Sequence, residues 1–238
     1  MTADANDLNE RAASAYEQSD FQLAAQLWQL SATAGSAAAQ DNLGRMYEFG
    51  QGVGQDYAKA LALFQAAAQQ GVSQAWVDLG VMYALGRGVQ KDDAHATDCY
   101  RKAAELGNQF GQHNLANQYK IGVGVAQDYD QALFWYQQAA KQGSLDALFG
   151  IGELYERMFD ADDNLADAIA HKRLALDYYR QASDQGDAES AYRAAFVAGK
   201  TKAGGSMAEG MPWMMKAAQM GYAPAQQFLK ENAAEIRQ

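Results

Sequence analysis

A chain of 238 residues with a formal charge of −10, one cysteine (Cys99) and two prolines (Pro212 and Pro224) excludes several classes of protein at once. Nucleic acid or an anionic lipid surface calls for an excess of basic side chains, a disulfide framework needs paired cysteines, and no run approaches the 18 apolar residues of a membrane span. The start of the chain, Met1 to Asn9, is polar and acidic and lacks the basic and apolar regions of a signal peptide. It predicts a cytoplasmic location, or a periplasmic one if a leader has been removed.

Taken in chain order, the residues fall into helical hairpins. Ala12, Tyr16, Asp20, Phe21, Ala24, Trp28, Ala32 and Gly35 predict a short hairpin over 5–35 with an abbreviated turn. Three units of equal length follow, at 36–71, 72–107 and 108–143. Leu43-Gly44, Leu79-Gly80 and Leu115-Ala116 recur in register, as do Tyr47, Tyr83 and Tyr119. The pairs Gly50/Gly52, Gly86/Gly88 and Gly122/Gly124 repeat with them, as do Asp56, Asp92 and Asp128. A fourth unit, 144–186, opens with Ile151-Gly152 and Tyr155 and then loses the glycine pair. Extra residues through 158–177 predict a loop and a lengthened second helix. A degenerate unit over 187–221 is expected to carry a Gly204-Gly205 loop, and residues 222–238 are expected to form a capping helix whose polar tail (Glu235, Arg237, Gln238) suits that role.

One unit explains the rest. Ala39, Leu43, Met46 and Tyr47 make the apolar stripe of a first helix. Gly44 leaves room for a second helix to approach. Gly50-x-Gly52 needs at least one positive φ as the chain turns, and Asp56 is placed to cap the next helix. Ala60, Leu63, Phe64 and Ala67 form that helix's inner face, and Gly71 ends it. A single hairpin cannot bury such a stripe, so each unit depends on its neighbours.

The pattern Leu43-Gly44…Tyr47…Gly50…Gly52-Val53…Asp56…Lys59-Ala60…Phe64…Ala67-Ala68…Gly71, with its copy from Leu115 to Gly143, resembles the Sel1-like repeat family, relatives of the tetratricopeptide repeats. The resemblance implies an all-α fold, a right-handed α-α superhelical solenoid whose concave wall is lined by the first helix of each hairpin. Carried over by the Leu-Gly positions, it implies a partner-binding groove made of Arg45, Glu48, Val77, Val81, Leu85, His113, Asn117, Lys120, Phe149, Glu153, Glu156, Arg157 and Arg193. Asp41, Phe49, Phe110, Phe196 and Lys200 share those outward-pointing positions. Apolar centre and polar rim match the usual build of a protein interface.

Chemistry of other kinds finds little support. His95, Asp98 and Cys99 lie within one helical turn, but Cys99 takes the core slot of Trp135 and nothing nearby supplies further metal ligands. Asp160-x-Asp162-Asp163 resembles the start of a calcium loop, yet Leu165 and His171 stand where glycine and a bidentate carboxylate are required. The glycine pairs follow no strand and so are turns rather than a nucleotide fingerprint. The expected function is a non-catalytic adaptor that binds another protein or peptide, with no cofactor; the acidic charge favours a basic partner. An inhibitor of the immunity-protein type is a narrower form of that reading. An enzyme or small-ligand binder would instead need groups such as His113, Glu153 and Arg157 to converge.

Overall fold

The computed structural model describes residues 4–201 and 207–232, and among them are thirteen helices and no strand. The expected Gly204-Gly205 loop and the tail residues Glu235, Arg237 and Gln238 lie outside the described residues. The chain forms two compact units, Met1–Asp128 and Tyr129–Gln238.

The first unit holds α1 (Ala5–Glu17), α2 (Phe21–Thr33), α3 (Ala37–Phe49), α4 (Tyr57–Gln69), α5 (Ser73–Leu85), α6 (Asp93–Glu105) and α7 (Gln109–Ile121). Each packs on the next in chain order, and α5 also touches α7. Helix starts are fixed by side chains. Asp20, Asp56 and Asp92 accept the backbone N–H of Leu23, Lys59 and His95 at 3.1, 3.0 and 2.9 Å; caps of this kind each contribute about 1 kcal/mol. Helix ends are fixed by glycine: Gly50, Gly86 and Gly122 follow α3, α5 and α7 with φ of 68°, 67° and 72°.

Glycine also sets the distance between helices. A Cβ on Gly44 would lie 2.7 Å from the Phe64 ring, and one on Gly80 would lie 2.4 Å from the Tyr100 ring. The ring of each second helix therefore rests directly on the backbone of the first. The second glycine of each turn also has positive φ, at 68° for Gly52 and Gly88 and 69° for Gly124. A Cβ there would come within 2.1 Å of the Phe21 carbonyl oxygen, 2.7 Å of that of Tyr57 and 2.0 Å of that of Asp93. Each turn thus sits on the first residue of the preceding hairpin's second helix, in the same way three times.

The second unit holds α8 (Tyr129–Lys141), α9 (Leu145–Ala161), α10 (Leu165–Asp184), α11 (Ala188–Gly199), α12 (Met211–Gln219) and α13 (Ala223–Glu231), again packed in chain order. Here the expected loop after Met158 is corrected. α9 continues to Ala161, so both helices of this hairpin are lengthened, to 17 and 20 residues against 13 in the regular hairpins. Only Asp162, Asp163 and Asn164 connect them, and Asn164 caps α10 at Ala166 N–H (2.9 Å). With no glycine pair to end it, a run of helix-compatible residues continues as helix.

Candidate functional site

The first-helix positions of the first unit carry a chain of ion pairs. Arg45 on α3 donates to Asp41 on its own helix (3.0 Å) and to Asp78 on α5 (3.1 Å), and Asp78 also accepts from Gln74 (3.1 Å). Asn108, which caps α7, donates to Gln74 (3.2 Å). Arg87, in the turn after α5, donates to Glu48 on α3 (2.8 Å). Burial acts against the charged form of all three carboxyls. It pushes Asp41 up to about 6, against the pull of Arg45, and holds Asp78 and Glu48 above the usual range. One oxygen of Asp41, Oδ1, is buried without a hydrogen bond.

Beside this network the same helices present apolar side chains. Val81 is half-buried, while Phe49, Leu85 and Ile121 are 61%, 57% and 52% exposed. His113 Nε2 meets the Asn117 amide at 2.8 Å.

In the second unit the centre is Glu156. Its carboxylate accepts from Tyr179 Oη (3.1 Å), Arg193 (2.9 Å) and Lys200 Nζ (2.7 Å), and Lys200 also reaches Asp160 at 3.0 Å. Burial alone would lower the Lys200 pKa; the carboxylates of Glu156 and Asp160 outweigh it and hold the amine above its ordinary value. Lys172 Nζ donates to the carbonyls of Ala198 and Lys200, both at 2.7 Å, and so satisfies the end of α11. Phe149 is half-buried with its ring 5.6 Å from that of Tyr179, Glu153 is half-buried, and Arg157 is exposed.

Five positions expected to point outward are instead covered: Asp41, Glu48, Val77, Lys120 and Glu156 are all buried. Glu48 and Glu156 keep charged partners that lie 39 and 37 or more residues away in sequence. Arg45, Val81, Leu85, His113 and Asn117 remain at or near the surface of the first unit, and Phe149, Glu153, Arg157 and Arg193 at or near that of the second. His95 stacks on Tyr83 at 4.6 Å, and burial pushes the Cys99 thiol up to about 11. Among the described residues, no group of three or more histidine, cysteine or carboxylate side chains is placed to hold a metal ion. The aspartates of the calcium-like segment belong to the end of α9 and its short connector, where Asp162 meets His171 Nδ1 at 2.5 Å.

Grooves bordered by second helices were not anticipated. One of about 420 Å3 lies between α4 and α6 over Trp76, Leu79 and Tyr83; another of about 530 Å3 borders α2 over Leu43 and Tyr47. The repeat's tyrosine is therefore a half-buried groove floor and not a sealed core residue. Its regular spacing could have marked the position but not its exposure.

Hairpins stacked in chain order, with a conserved geometry of turn and a variable outer face, define an all-α repeat solenoid. The chain belongs to the Sel1 repeat family, whose repeat model matches residues 13–36, 37–72, 75–108, 109–144 and 172–187. Among solved structures, a protective antigen of uropathogenic Escherichia coli with this fold is 30% identical over 98% of the chain, with a TM-score of 0.78. The chain spans 49% of that protein's structure, about half its length. A Sel1 repeat protein from Oxalobacter formigenes is 25% identical, covering 94% of this chain and 90% of its own, at a TM-score of 0.77. An immunity protein from Pseudomonas aeruginosa shares the fold at 22% identity, over 94% of this chain and 89% of its own, with a TM-score of 0.52. No curated protein matches the chain. No helix among the described residues is long and apolar enough to cross a membrane. The Sel1 repeat fold is one suited to protein–protein interaction.

Proposed function

We propose that the chain is a non-catalytic adaptor that holds a segment of another protein on the first-helix face of its regular hairpins. One observation carries this reading. Most repeated positions of α3, α5 and α7 are spent on packing, while half-buried Val81, at a position that varies, and exposed Leu85 lie beside a fixed ionic network. Apolar anchors give affinity, and surrounding charge and amide groups select among partners. The charged groups most enclosed by the fold, Asp41, Glu48 and Glu156, are tied into contacts that join helices, which suits a rigid platform better than proton transfer.

The test is to capture a partner with the full chain, identify it, and measure its affinity for the double variant Val81→Glu, Asn117→Ala. Weakening by tenfold or more supports the face (about 1.4 kcal/mol); unchanged affinity removes it. The −10 charge favours one specialisation, an inhibitor that neutralises a basic effector. That role is the one named for the Pseudomonas aeruginosa relative, whose likeness extends to the fold alone. Protection of cells expressing a toxin encoded beside this chain's gene would test it directly.

A further inference from the structure

The lengthened helix α10 carries a surface that packing within the chain does not use. Phe64 and Tyr100 rest on their glycines seven residues after the start of α4 and α6, whereas Tyr179 does so fourteen residues after the start of α10. Residues 165–171 are therefore two added turns. Leu165 and Ile169, both in those turns, are each more than half exposed. With Arg173, Leu176 and Arg180 they form a stripe about 80° wide along the helix. Past the added turns the stripe lines a groove of about 460 Å3, in which Arg173, Leu174, Leu176, Asp177 and Arg180 meet the half-buried ring of Trp213 on α12. The charges around it pair off, except one. Arg180 is bonded to Asp177, Lys216 beside the Trp213 ring reaches Asp184 at 2.6 Å, and Lys172 is turned to the carbonyls of Ala198 and Lys200. Arg173 is exposed and meets no carboxylate among the described residues. A chain with 29 acidic and 19 basic side chains thus presents a cationic excess in this groove.

We propose that the α10 groove binds an acidic segment of a partner protein, with a carboxylate held by Arg173 and apolar side chains laid on Leu174, Leu176 and Trp213. The inference goes beyond the reading above, since it assigns a second surface, in the other compact unit, to a partner of the opposite charge. Charge complementarity selects the occupant. A basic segment would face an unpaired guanidinium, and a neutral one would cover that charge without answering it, which costs free energy. A carboxylate matches the planar fork of arginine. Leucine and tryptophan beside it supply the apolar anchorage from which affinity comes, and the added turns extend that anchorage through Ile169 and Leu165.

A fluorescein-labelled peptide of alternating leucine and glutamate, with a copy in which glutamine replaces every glutamate, provides the probe. Fluorescence anisotropy is measured with the full chain in about 0.15 M salt, which screens charges beyond about 8 Å. The glutamate peptide is expected to bind at least about threefold more tightly than the glutamine peptide. The net charge of the chain alone predicts the reverse order. Arg173→Glu, and separately the milder Arg173→Gln, should remove the preference while the circular dichroism spectrum stays that of the parent. Arg11→Glu, the same change of charge on α1, should leave it intact. Equal or tighter binding of the glutamine peptide, or a preference that survives Arg173→Glu, overturns the proposal. So does an oligonucleotide of deoxythymidine that binds as tightly and with the same dependence on Arg173, since the groove would then serve nucleic acid. Self-association in sedimentation that Arg173→Glu abolishes also overturns it, because the groove would then hold a second copy of the chain. Failure here leaves the first-helix face standing, because that face is tested by Val81→Glu with a captured partner.

Discussion

The hairpin of α3 and α4 and the hairpin of α9 and α10 meet the same packing problem with different connectors. In the first, two glycines with positive φ turn the chain and let the turn settle on the carbonyl of Phe21. In the second, no glycine interrupts the helix, so both helices run on and a connector of three polar residues closes them. The two share the glycine that seats a ring, Gly44 under Phe64 and Gly152 under Tyr179. They also share a glutamate four residues later, Glu48 and Glu156. What differs is how much each glutamate holds. Glu48 accepts one side-chain donor, Arg87, whereas Glu156 accepts three, from α10, from α11 and from the residue after it. Where the turn is dictated by backbone geometry, side chains are left free to vary. Where the turn is lost, buried side-chain bonding fixes the hairpin instead.

The strongest way to break this comparison is at the turn. Gly52→Ala places a Cβ against the Phe21 carbonyl on a backbone with φ of 68°, and a residue with a side chain in that region already costs about 1–3 kcal/mol before the clash. Its loss of stability in urea unfolding should exceed about 3 kcal/mol. Gly71→Ala shares the positive φ of 89° but meets nothing within 4 Å, so it should cost only about 1 kcal/mol. Equal losses at the two positions would mean that conformation alone, and not the seat on Phe21, explains the second glycine.

Next in size is the pair of glutamates. Glu156→Ala leaves Tyr179, Arg193 and Lys200 without their shared acceptor and should cost about 2–3 kcal/mol, below the usual figure for a buried pair because Arg193 and Lys200 can partly rehydrate. Glu48→Ala strands one guanidinium that is 36% exposed and should cost about 1 kcal/mol. Thermal unfolding of both variants compares them, and a Glu48 loss as large as that of Glu156 would contradict the difference drawn between the hairpins.

Much of the regular hairpin was legible in the sequence because its determinants are local. Asp56 lies three residues from the N–H it caps, Gly50 adjoins the helix it ends, and the Gly44 slot is announced by the ring residue of the same unit. The second glycine was readable as a turn but not as a seat, since Phe21 belongs to the preceding hairpin. The same limit explains the candidate face. Val77 and Lys120 were expected at surface positions of their own helices and are buried, and the Arg45–Asp78 and Glu156–Arg193 contacts join residues 33 and 37 positions apart. In the lengthened hairpin, the aspartates from 160 to 163 suggest a loop by composition. The helix runs on to Ala161 with Asp160 meeting the Lys200 amine, and Asp162, the first residue of the connector, lies against His171.

A smaller effect separates the networks by pH. The Asp41 carboxyl holds its proton up to about pH 6 in the folded protein, chiefly because it is buried, against 3.8 as its ordinary value. The folded state therefore binds this proton more tightly than the unfolded state. Stability from this group is present below about pH 4 and is lost as pH rises through 6. Arg45 and Asp78 are the charged groups that face it. Asp41→Asn should flatten the stability profile between about pH 4 and 7 and leave the protein about 1 kcal/mol more stable at neutral pH than expected from loss of a salt bridge. A variant with the slope of the parent in that window would place the titration elsewhere.

The smallest effects fall on exposed apolar residues, and they decide whether those residues serve the fold. Leu85→Ser in a regular hairpin and Leu165→Ser in the lengthened one remove side chains that are 57% and 61% exposed. Neither should change stability by more than about 0.5 kcal/mol, while Leu43→Ala in the core should cost about 3–5 kcal/mol. A large loss from Leu85→Ser would show that the end of α5 is held by packing and would weaken its assignment to a partner. Neutral results at both sites would carry different meanings. Leu165 has no counterpart in the regular repeats, so its neutrality says nothing about recurrence. Leu85 is matched by Phe49 and Ile121 in the hairpins on either side, and a side chain that recurs on every regular hairpin without supporting any of them is free to serve contact with another molecule.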